Sequence, residues 1–183
     1  GNSAFGKGAW EDFRSANPDF WDPHPTRFPN GLKPLVEAAA EKGMKFGLWF
    51  GPSAEDEMAS WEADADLLID YFKNDGIRYV KVDAIRMKTR LAEQNLEKMY
   101  QKVLDASNGE LVFDPDATAG KRPTYFGSLR AGPVFVENRY TDWGNYWPHH
   151  TLRNLWSLAA YMDPARMRME FLNNTRNTGK YGD

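Results

Sequence analysis

The sequence predicts an α/β fold assembled from parallel βαβ units. Helical stretches, in which apolar residues recur three or four positions apart, alternate along the chain with short apolar runs that have the length of buried strands. Gly43, Gly51-Pro52 and Gly76 close segments of both kinds, as turn-forming residues do at the ends of helices and strands. Because a helix between two strands carries the chain back across the sheet, the strands are expected to pair in parallel.

The predicted elements follow one another in a regular order. Residues 1–31 are rich in Gly, Pro, Asn and aromatic residues, which predicts a mostly irregular segment ahead of the first helix. Helices are predicted at residues 32–43, about 57–75, about 90–106 and 150–162. Strands, about five in number, are predicted at Lys45–Phe50, Arg78–Val82, Leu111–Phe113, Pro133–Val136 and Arg166–Leu172.

Composition and charge limit the classes of protein to which the chain can belong. Its 183 residues, 42% of them hydrophobic, supply enough apolar surface for one packed domain, so residues 1–183 are interpreted as a single domain. The 23 Lys and Arg against 26 Asp and Glu give a net charge of −3, so no basic surface is expected to attract a nucleic acid. Apolar runs are far shorter than the roughly 20 residues that a spanning helix needs. The sequence therefore predicts a soluble protein with neither a nucleic-acid partner nor a membrane partner.

The chain lacks the residue patterns that hold common cofactors. Cysteine is absent, which removes thiolate nucleophiles, disulfides and Cys-based metal sites. Because an oxidising compartment tolerates Cys-free proteins too, the location is left open, a secreted or periplasmic one included. No Gly-rich phosphate loop stands at a strand-to-helix junction, so a nucleotide-binding fold is not expected. We therefore predict no cofactor and no metal ion.

Carboxylates stand at or just past the ends of three predicted strands, at Asp83, Asp114 and Glu137. The carboxyl ends of parallel strands converge on one face, where functional residues collect. The alternative is that such residues cap helices and form turns. That alternative explains Lys81 and Asp83 less well, because they alternate onto the same face of a buried strand. There they are either functional or a buried ion pair that ties strands together.

Three sequence motifs occur in a fixed order along the chain: F-P-x-G-L-K at residues 28–33, G-M-x-F-G-L-W-F at residues 43–50 and K-x-D-x-x-R at residues 81–86. Together they resemble the α-galactosidase barrel of glycoside hydrolase family 36 and its melibiase-like relatives. The resemblance implies a (β/α)8 barrel of the TIM type, of which this chain would cover about five of the eight βα units. Since an incomplete barrel exposes unpaired edges, further domains of a longer chain or an oligomer partner would be expected to close it.

The same resemblance implies roles for individual residues. Asp83, in the K-x-D-x-x-R motif, would be the nucleophile of a retaining double displacement. Lys81 and Arg86 would bind sugar hydroxyls and hold that carboxylate ionised, and Trp49 would line the sugar subsite. The chain departs from the family at Gly51-Pro52-Ser53, which replaces a Glu-Pro-Glu element, and at the segment containing Asp114, which replaces a Cys- and Gly-rich strand end. Asp114 is accordingly predicted to contact substrate.

Two carboxylates compete for the role of general acid and base. The family carries this residue in a Ser-Asp-x-Thr-Asp segment, where this chain has Glu137 at a strand end and Asp142 five residues later. A general acid has to project from a rigid position toward the leaving-group oxygen, which favours Glu137. Asp142 matches the Thr-Asp half of the family segment and is the alternative. Asn138 and Trp143, beside these two residues, are predicted to contact the sugar.

These observations predict a retaining glycoside hydrolase that acts on α-galactosides or related α-linked sugars. The predicted partner is a carbohydrate substrate. The alternative is a non-catalytic carbohydrate-binding or scaffold domain that keeps the sugar-facing aromatic residues and has lost turnover.

Overall fold

The computed structural model describes residues 18–83, 85–116, 130–135 and 148–168. Its helices are α1 (Lys33–Ala40), α2 (Trp61–Asp70), α3 (Arg90–Ala106) and α4 (Pro148–Leu158). Its strands are β1 (Gly47–Phe50), β2 (Tyr79–Val82), β3 (Val112–Pro115), β4 (Val134–Phe135) and β5 (Met167–Arg168). Each predicted helix and strand overlaps one of these elements, and residues 18–31 form turns and bends, as expected for the irregular segment.

The strands form two small parallel sheets that lie side by side. β1, β2 and β3 make the larger sheet in chain order, and β4 pairs with β5. The amide of Phe113 donates to the carbonyl of Ala131 at 3.2 Å, and Asp116 forms a single parallel bridge with Phe135. These contacts place β4 beside β3.

The predicted (β/α)8 barrel is wrong. The described residues form sheets of three and two strands that do not close, far too few strands for a TIM barrel. A barrel closes when eight tilted strands give every strand a neighbour on both sides. Among the described strands β1 pairs with β2 alone, and β4 and β5 are two residues long. The motifs that suggested the barrel are local, and local motifs do not report how many strands a sheet contains.

One face of the larger sheet packs into the main hydrophobic core. Val80 and Val82 of β2 are fully buried there, together with Phe50 of β1 and Phe113 of β3. The helices contribute further buried residues: Ala65 and Leu68 from α2, and Ala92, Leu96, Met99, Tyr100 and Val103 from α3. Because side chains alternate along a strand, the other face carries Trp49, Tyr79, Lys81 and Asp114.

Helix α3 shows how the sequence builds this core. Its buried residues recur at helical spacing along one side of 17 residues, which produces the apolar stripe that packs against α2. The hydroxyl of Thr89 accepts a hydrogen bond from the amide of Ala92 at 3.2 Å and so caps the helix N-terminus. The long, well-capped helix thereby covers the sheet face opposite the polar one.

Two glycines permit close approach of the strands that carry the polar face. A Cβ atom at Gly47 would lie 2.9 Å from the carbonyl oxygen of Tyr79, so a larger residue would push β1 away from β2. A Cβ atom at Gly132 would lie 1.9 Å from the carbonyl oxygen of Phe113, which excludes any side chain where the chain enters β4. Both positions therefore require glycine for packing. Within the described residues, no helix combines the length and apolar character needed to cross a membrane.

Candidate active site

The candidate site lies at the carboxyl ends of β1, β2 and β3. Parallel pairing continues one residue past the strands there, because the amide of Asp83 donates to Phe50 O at 2.9 Å and the amide of Asp116 donates to Val82 O at 2.8 Å. These backbone hydrogen bonds fix the position of Asp83 between the ends of two neighbouring strands. A side chain that projects from such a position is held by the sheet and not by a mobile loop.

A hydrogen-bond donor and a cation lie next to the same carboxylate oxygen of Asp83. The indole Nε1 of Trp49 donates to Asp83 Oδ2 at 2.9 Å, and the ammonium of Lys81 lies 3.5 Å from the same oxygen. The side chains of Lys81 and Asp83 are 29% and 22% exposed, so both are partly withdrawn from water. A cation and an N–H donor at this distance stabilise a negatively charged carboxylate, which is the state that a nucleophile requires.

The ammonium of Lys81 also faces an aromatic ring. Its Nζ atom lies 4.1 Å from the centroid of the Phe135 ring, a distance typical of a cation–π contact. Lys81 is therefore bounded by the carboxylate of Asp83, from its own strand, and by the ring of Phe135, from β4.

A second polar cluster lies next to Lys81 on the same face. The register places Asp114 of β3 opposite Lys81 of β2. The hydroxyl of Tyr79 donates to Asp114 Oδ2 and accepts a hydrogen bond from the Arg168 guanidinium at 3.2 Å. Asp114 is 4% exposed, and its Oδ1 atom has no hydrogen-bond partner among the described residues. The cluster therefore joins β2 and β3 of one sheet to β5 of the other.

Burial dominates the electrostatics of this cluster. Burial raises the pKa of Asp114 above its ordinary value, and the negative charge of Asp116 acts in the same direction. The hydrogen bond from Tyr79 and the charges of Arg168 and Lys81 oppose that rise. Burial, followed by the bond to Asp114, also raises the pKa of Tyr79, so its hydroxyl keeps its proton throughout the physiological range.

The aromatic residues at the end of β1 form a small cluster. The rings of Trp21 and Trp49 lie 5.9 Å apart, and Phe20 packs edge-on against Trp21 with centroids 4.9 Å apart. Trp49 is 37% exposed and its N–H bond to Asp83 fixes the plane of its indole. A partly exposed indole of fixed orientation beside a carboxylate is a group that can stack on the apolar face of a sugar ring.

The structure thus brings some of the predicted site residues together. Trp49, Lys81 and Asp83 are in direct contact, and Asp114 neighbours Lys81 through the strand register. Arg86 is exposed in the connection between β2 and α3, where the residues on either side of it are buried. The other predicted site residues lie outside the described residues, namely Glu137, Asn138, Asp142 and Trp143. The choice between Glu137 and Asp142 stays a prediction.

Sequence reasoning missed three residues of the site. Tyr79 lies two residues before Lys81, so strand alternation alone could have placed it on the same face. Phe135 and Arg168 come from β4 and β5, and Arg168 contacts Tyr79 across 89 positions of sequence. No local signal marks such contacts, because they depend on how the two sheets lie side by side.

Comparisons with protein-family models, with curated proteins and with solved structures each find no match for this chain. The resemblance to glycoside hydrolase family 36 accordingly stays a prediction that depends on the quoted motifs.

Proposed function

We propose that this chain is a retaining glycoside hydrolase domain for α-galactosides or related α-linked sugars, with Asp83 as the nucleophile. The observation that supports the proposal best is the environment of Asp83 Oδ2, which has the Trp49 indole N–H at 2.9 Å and the Lys81 ammonium at 3.5 Å. A carboxylate that only capped a helix or formed a turn would need neither the indole donor nor the neighbouring cation. The K-x-D-x-x-R motif supports the same assignment.

The proposed reaction has two steps. Asp83 attacks the anomeric carbon as the glycosidic bond breaks, and the general acid gives its proton to the departing oxygen. Water, deprotonated by the same acid and base residue, then attacks the glycosyl ester and releases Asp83, so two inversions leave the α configuration unchanged. Lys81 and Trp49 hold Asp83 ionised and oriented before attack. Glu137 is the preferred acid and base residue and Asp142 is the alternative.

The remaining predicted residues have supporting positions in this proposal. Trp49 offers the exposed part of its indole to the sugar ring, while its N–H stays on the nucleophile. Asp114 and Tyr79 form a hydrogen-bonded polar pair beside Lys81 on the same face of the sheet. Arg86, Asn138 and Trp143 are proposed to bind sugar hydroxyls or the sugar ring.

A second candidate function is sugar binding without turnover. The specific observation that favours it is the aromatic cluster at the end of β1, in which Trp21 supports Trp49 at 5.9 Å. Such a platform binds a pyranose ring whether or not the neighbouring carboxylates complete a catalytic set.

The deciding experiment compares the wild-type chain with Asp83→Ala on a panel of nitrophenyl α-glycosides. The substitution should lower kcat by several orders of magnitude, because the covalent intermediate can no longer form. Azide should then restore turnover and give a glycosyl azide of inverted configuration, since the small anion occupies the space left by the carboxylate. Asp105→Ala is the matched control, because Asp105 is a carboxylate on α3 that bonds to Gln101 at 2.7 Å.

Two outcomes would count against the hydrolase proposal as stated. Near-wild-type turnover by folded Asp83→Ala protein would contradict the nucleophile assignment. Absence of turnover in the wild type, combined with quenching of tryptophan fluorescence by galactose that Trp49→Ala abolishes, would instead establish the binding function.

A further inference from the structure

We propose that Phe135 is a positioning residue that holds the ammonium of Lys81 against Asp83. The proposed catalytic benefit rests on the function given above, whereas the positioning itself is a property of the structure. The juxtaposition that carries the inference is a ring from β4 and a carboxylate from the end of β2 on the same ammonium, at 4.1 Å to the ring centroid and 3.5 Å to the oxygen.

Lys81 has more than one carboxylate within its reach. Asp114 lies directly opposite Lys81 in the β2–β3 register, yet the ammonium makes its ion pair with Asp83. A lysine side chain has a flexible four-carbon stem, so nothing in its own covalent structure selects one carboxylate over the other. Neighbouring groups have to make that selection.

The hydrogen bonds around Tyr79 weaken the competition of Asp114 with Asp83 for the Lys81 ammonium. The Tyr79 hydroxyl already donates to Asp114 Oδ2, and the Arg168 guanidinium donates to the Tyr79 hydroxyl at 3.2 Å. Asp114 therefore has a donor and a nearby cation without Lys81. The ammonium of Lys81 instead lies 3.5 Å from Asp83 Oδ2 and forms an ion pair with it.

The Phe135 ring supplies the second restraint. Phe135 pairs with Arg168 in the β4–β5 register and bridges to Asp116 at the end of β3, so its backbone is held by both sheets. The attraction between a cation and a ring face strengthens as water is removed, and the Lys81 side chain is only 29% exposed. The ring therefore limits the positions that the ammonium can adopt to those next to Asp83.

This arrangement assigns different roles to the two aromatic residues that adjoin the Lys81–Asp83 pair. The ring face of Phe135 that points toward Lys81 is covered by the ammonium, so that face is not available to stack on a sugar. Trp49 contacts Asp83 through its indole edge and keeps part of its ring exposed, which leaves it as the stacking residue.

The first test measures the Lys81 ammonium without any substrate. We expect the side-chain order parameter of the Lys81 ammonium group, from nitrogen-15 NMR relaxation, to fall in Phe135→Leu and to stay near the wild-type value in Phe135→Tyr. Leucine keeps the apolar bulk and loses the ring face, whereas tyrosine keeps the ring. An unchanged order parameter in Phe135→Leu would overturn the inference. Should Phe135→Leu fail to fold, Phe135→Met provides the same comparison with an unbranched side chain of similar size.

The second test measures catalysis in a double-mutant cycle. Phe135→Leu should lower kcat by about tenfold with little change in KM, and Phe135→Tyr should restore most of that loss. In a Lys81→Met background the same substitution should have no further effect, because the ammonium that the ring positions is gone. An equal loss in both backgrounds would show that the ring acts through packing alone and would contradict the proposal.

The two tests separate this inference from the proposed function. If wild-type protein turns over no α-glycoside but the order parameters follow the expected pattern, the hydrolase proposal fails and the positioning role stands. If the wild type is active and neither Phe135 variant changes the order parameter or kcat, the hydrolase proposal stands and the positioning role is wrong.

Discussion

The two sheets differ in how much core supports them. The sheet of β1, β2 and β3 packs with α2 and α3 into a continuous cluster of buried residues that includes Phe50, Leu68, Leu96 and Phe113. The pair of β4 and β5 packs with α4 around a smaller cluster, in which Val134 and Met162 are the buried members among the described residues. Leu155, Leu158 and Met167 join that smaller cluster while remaining partly exposed.

The helices of the two regions show the same contrast. α3 directs its apolar stripe into the core from a capped N-terminus. α4, in the smaller region, leaves Trp156 84% exposed and Leu152 exposed as well. Buried apolar area is the main source of folding free energy, so the larger sheet should dominate the stability of the protein. The candidate nucleophile lies on the well-supported sheet, and the smaller one contributes Phe135 and Arg168 at its border.

The largest expected effect comes from making the same substitution in both regions. Leu96→Ala on α3 removes a fully buried side chain and should lower the free energy of unfolding by about 3 kcal/mol. Leu155→Ala on α4 removes a partly exposed one and should cost about 1 kcal/mol. Urea unfolding followed by circular dichroism measures both values. Equal losses would show that the smaller cluster is as tightly packed as the larger and would remove the contrast.

The sequence predicted the individual elements well because their signals are local. The apolar spacing predicts α3 at about 90–106, and the helix runs from Arg90 to Ala106, since that spacing lies within the segment itself. Gly76 adopts a positive φ of 81° at the end of the turn that follows α2, as a closing glycine is expected to do. The contact of Trp49 with Asp83 agrees with both residues being placed at neighbouring strand ends.

Local signals could not predict that the sheet stays open, nor which residues make contact between the two sheets. The barrel was inferred from motifs that each span a few residues, and nothing in them counts strands. The bond between Arg168 and Tyr79 joins residues from different sheets, and the ring of Phe135 reaches Lys81 from β4. Such contacts are decided by the arrangement of whole elements, which a single sequence does not report.

The next largest expected effect concerns the carboxylates that cap helix and turn starts in the two regions. Asp75 Oδ1, at the end of the turn after α2, accepts hydrogen bonds from the amides of Leu32 and Lys33 at 3.1 and 3.0 Å. The carboxylate thereby caps α1 from a distant part of the chain. Asp75→Ala should lower the free energy of unfolding by about 1.5 kcal/mol, because two N–H groups at a helix start lose a charged acceptor.

Asp163→Ala is the matched control in the smaller region. Asp163 Oδ1 accepts one hydrogen bond, from the amide of Ala165 at 2.9 Å, at the start of a short exposed turn. Its loss should cost about 0.5 kcal/mol in the same urea experiment. A larger loss for Asp163→Ala than for Asp75→Ala would mean that the smaller region depends more on its caps than its buried cluster suggests.

The smallest effect concerns the border between the sheets, where Asp114, Tyr79 and Arg168 meet. Burial raises the pKa of Asp114, so the folded protein disfavours its ionised form more than the unfolded chain does. The stability associated with protonated Asp114 is present below the ordinary carboxyl pKa and is lost as the pH rises through the raised value. Asp114→Asn cannot ionise and keeps an oxygen that can accept from Tyr79.

The stability of Asp114→Asn relative to wild type should therefore increase as the pH rises above the ordinary carboxyl pKa of about 4. Tyr79→Phe removes the hydrogen bond that opposes the raised pKa, so its own stability should fall more steeply with pH than that of wild type. The pKa of Tyr79 is itself raised, which keeps its hydroxyl from titrating in this range. Urea unfolding at several pH values measures both slopes. A difference between Asp114→Asn and wild type that stays constant with pH would show that Asp114 ionises as easily in the folded protein as in water, and the border would then be open to solvent.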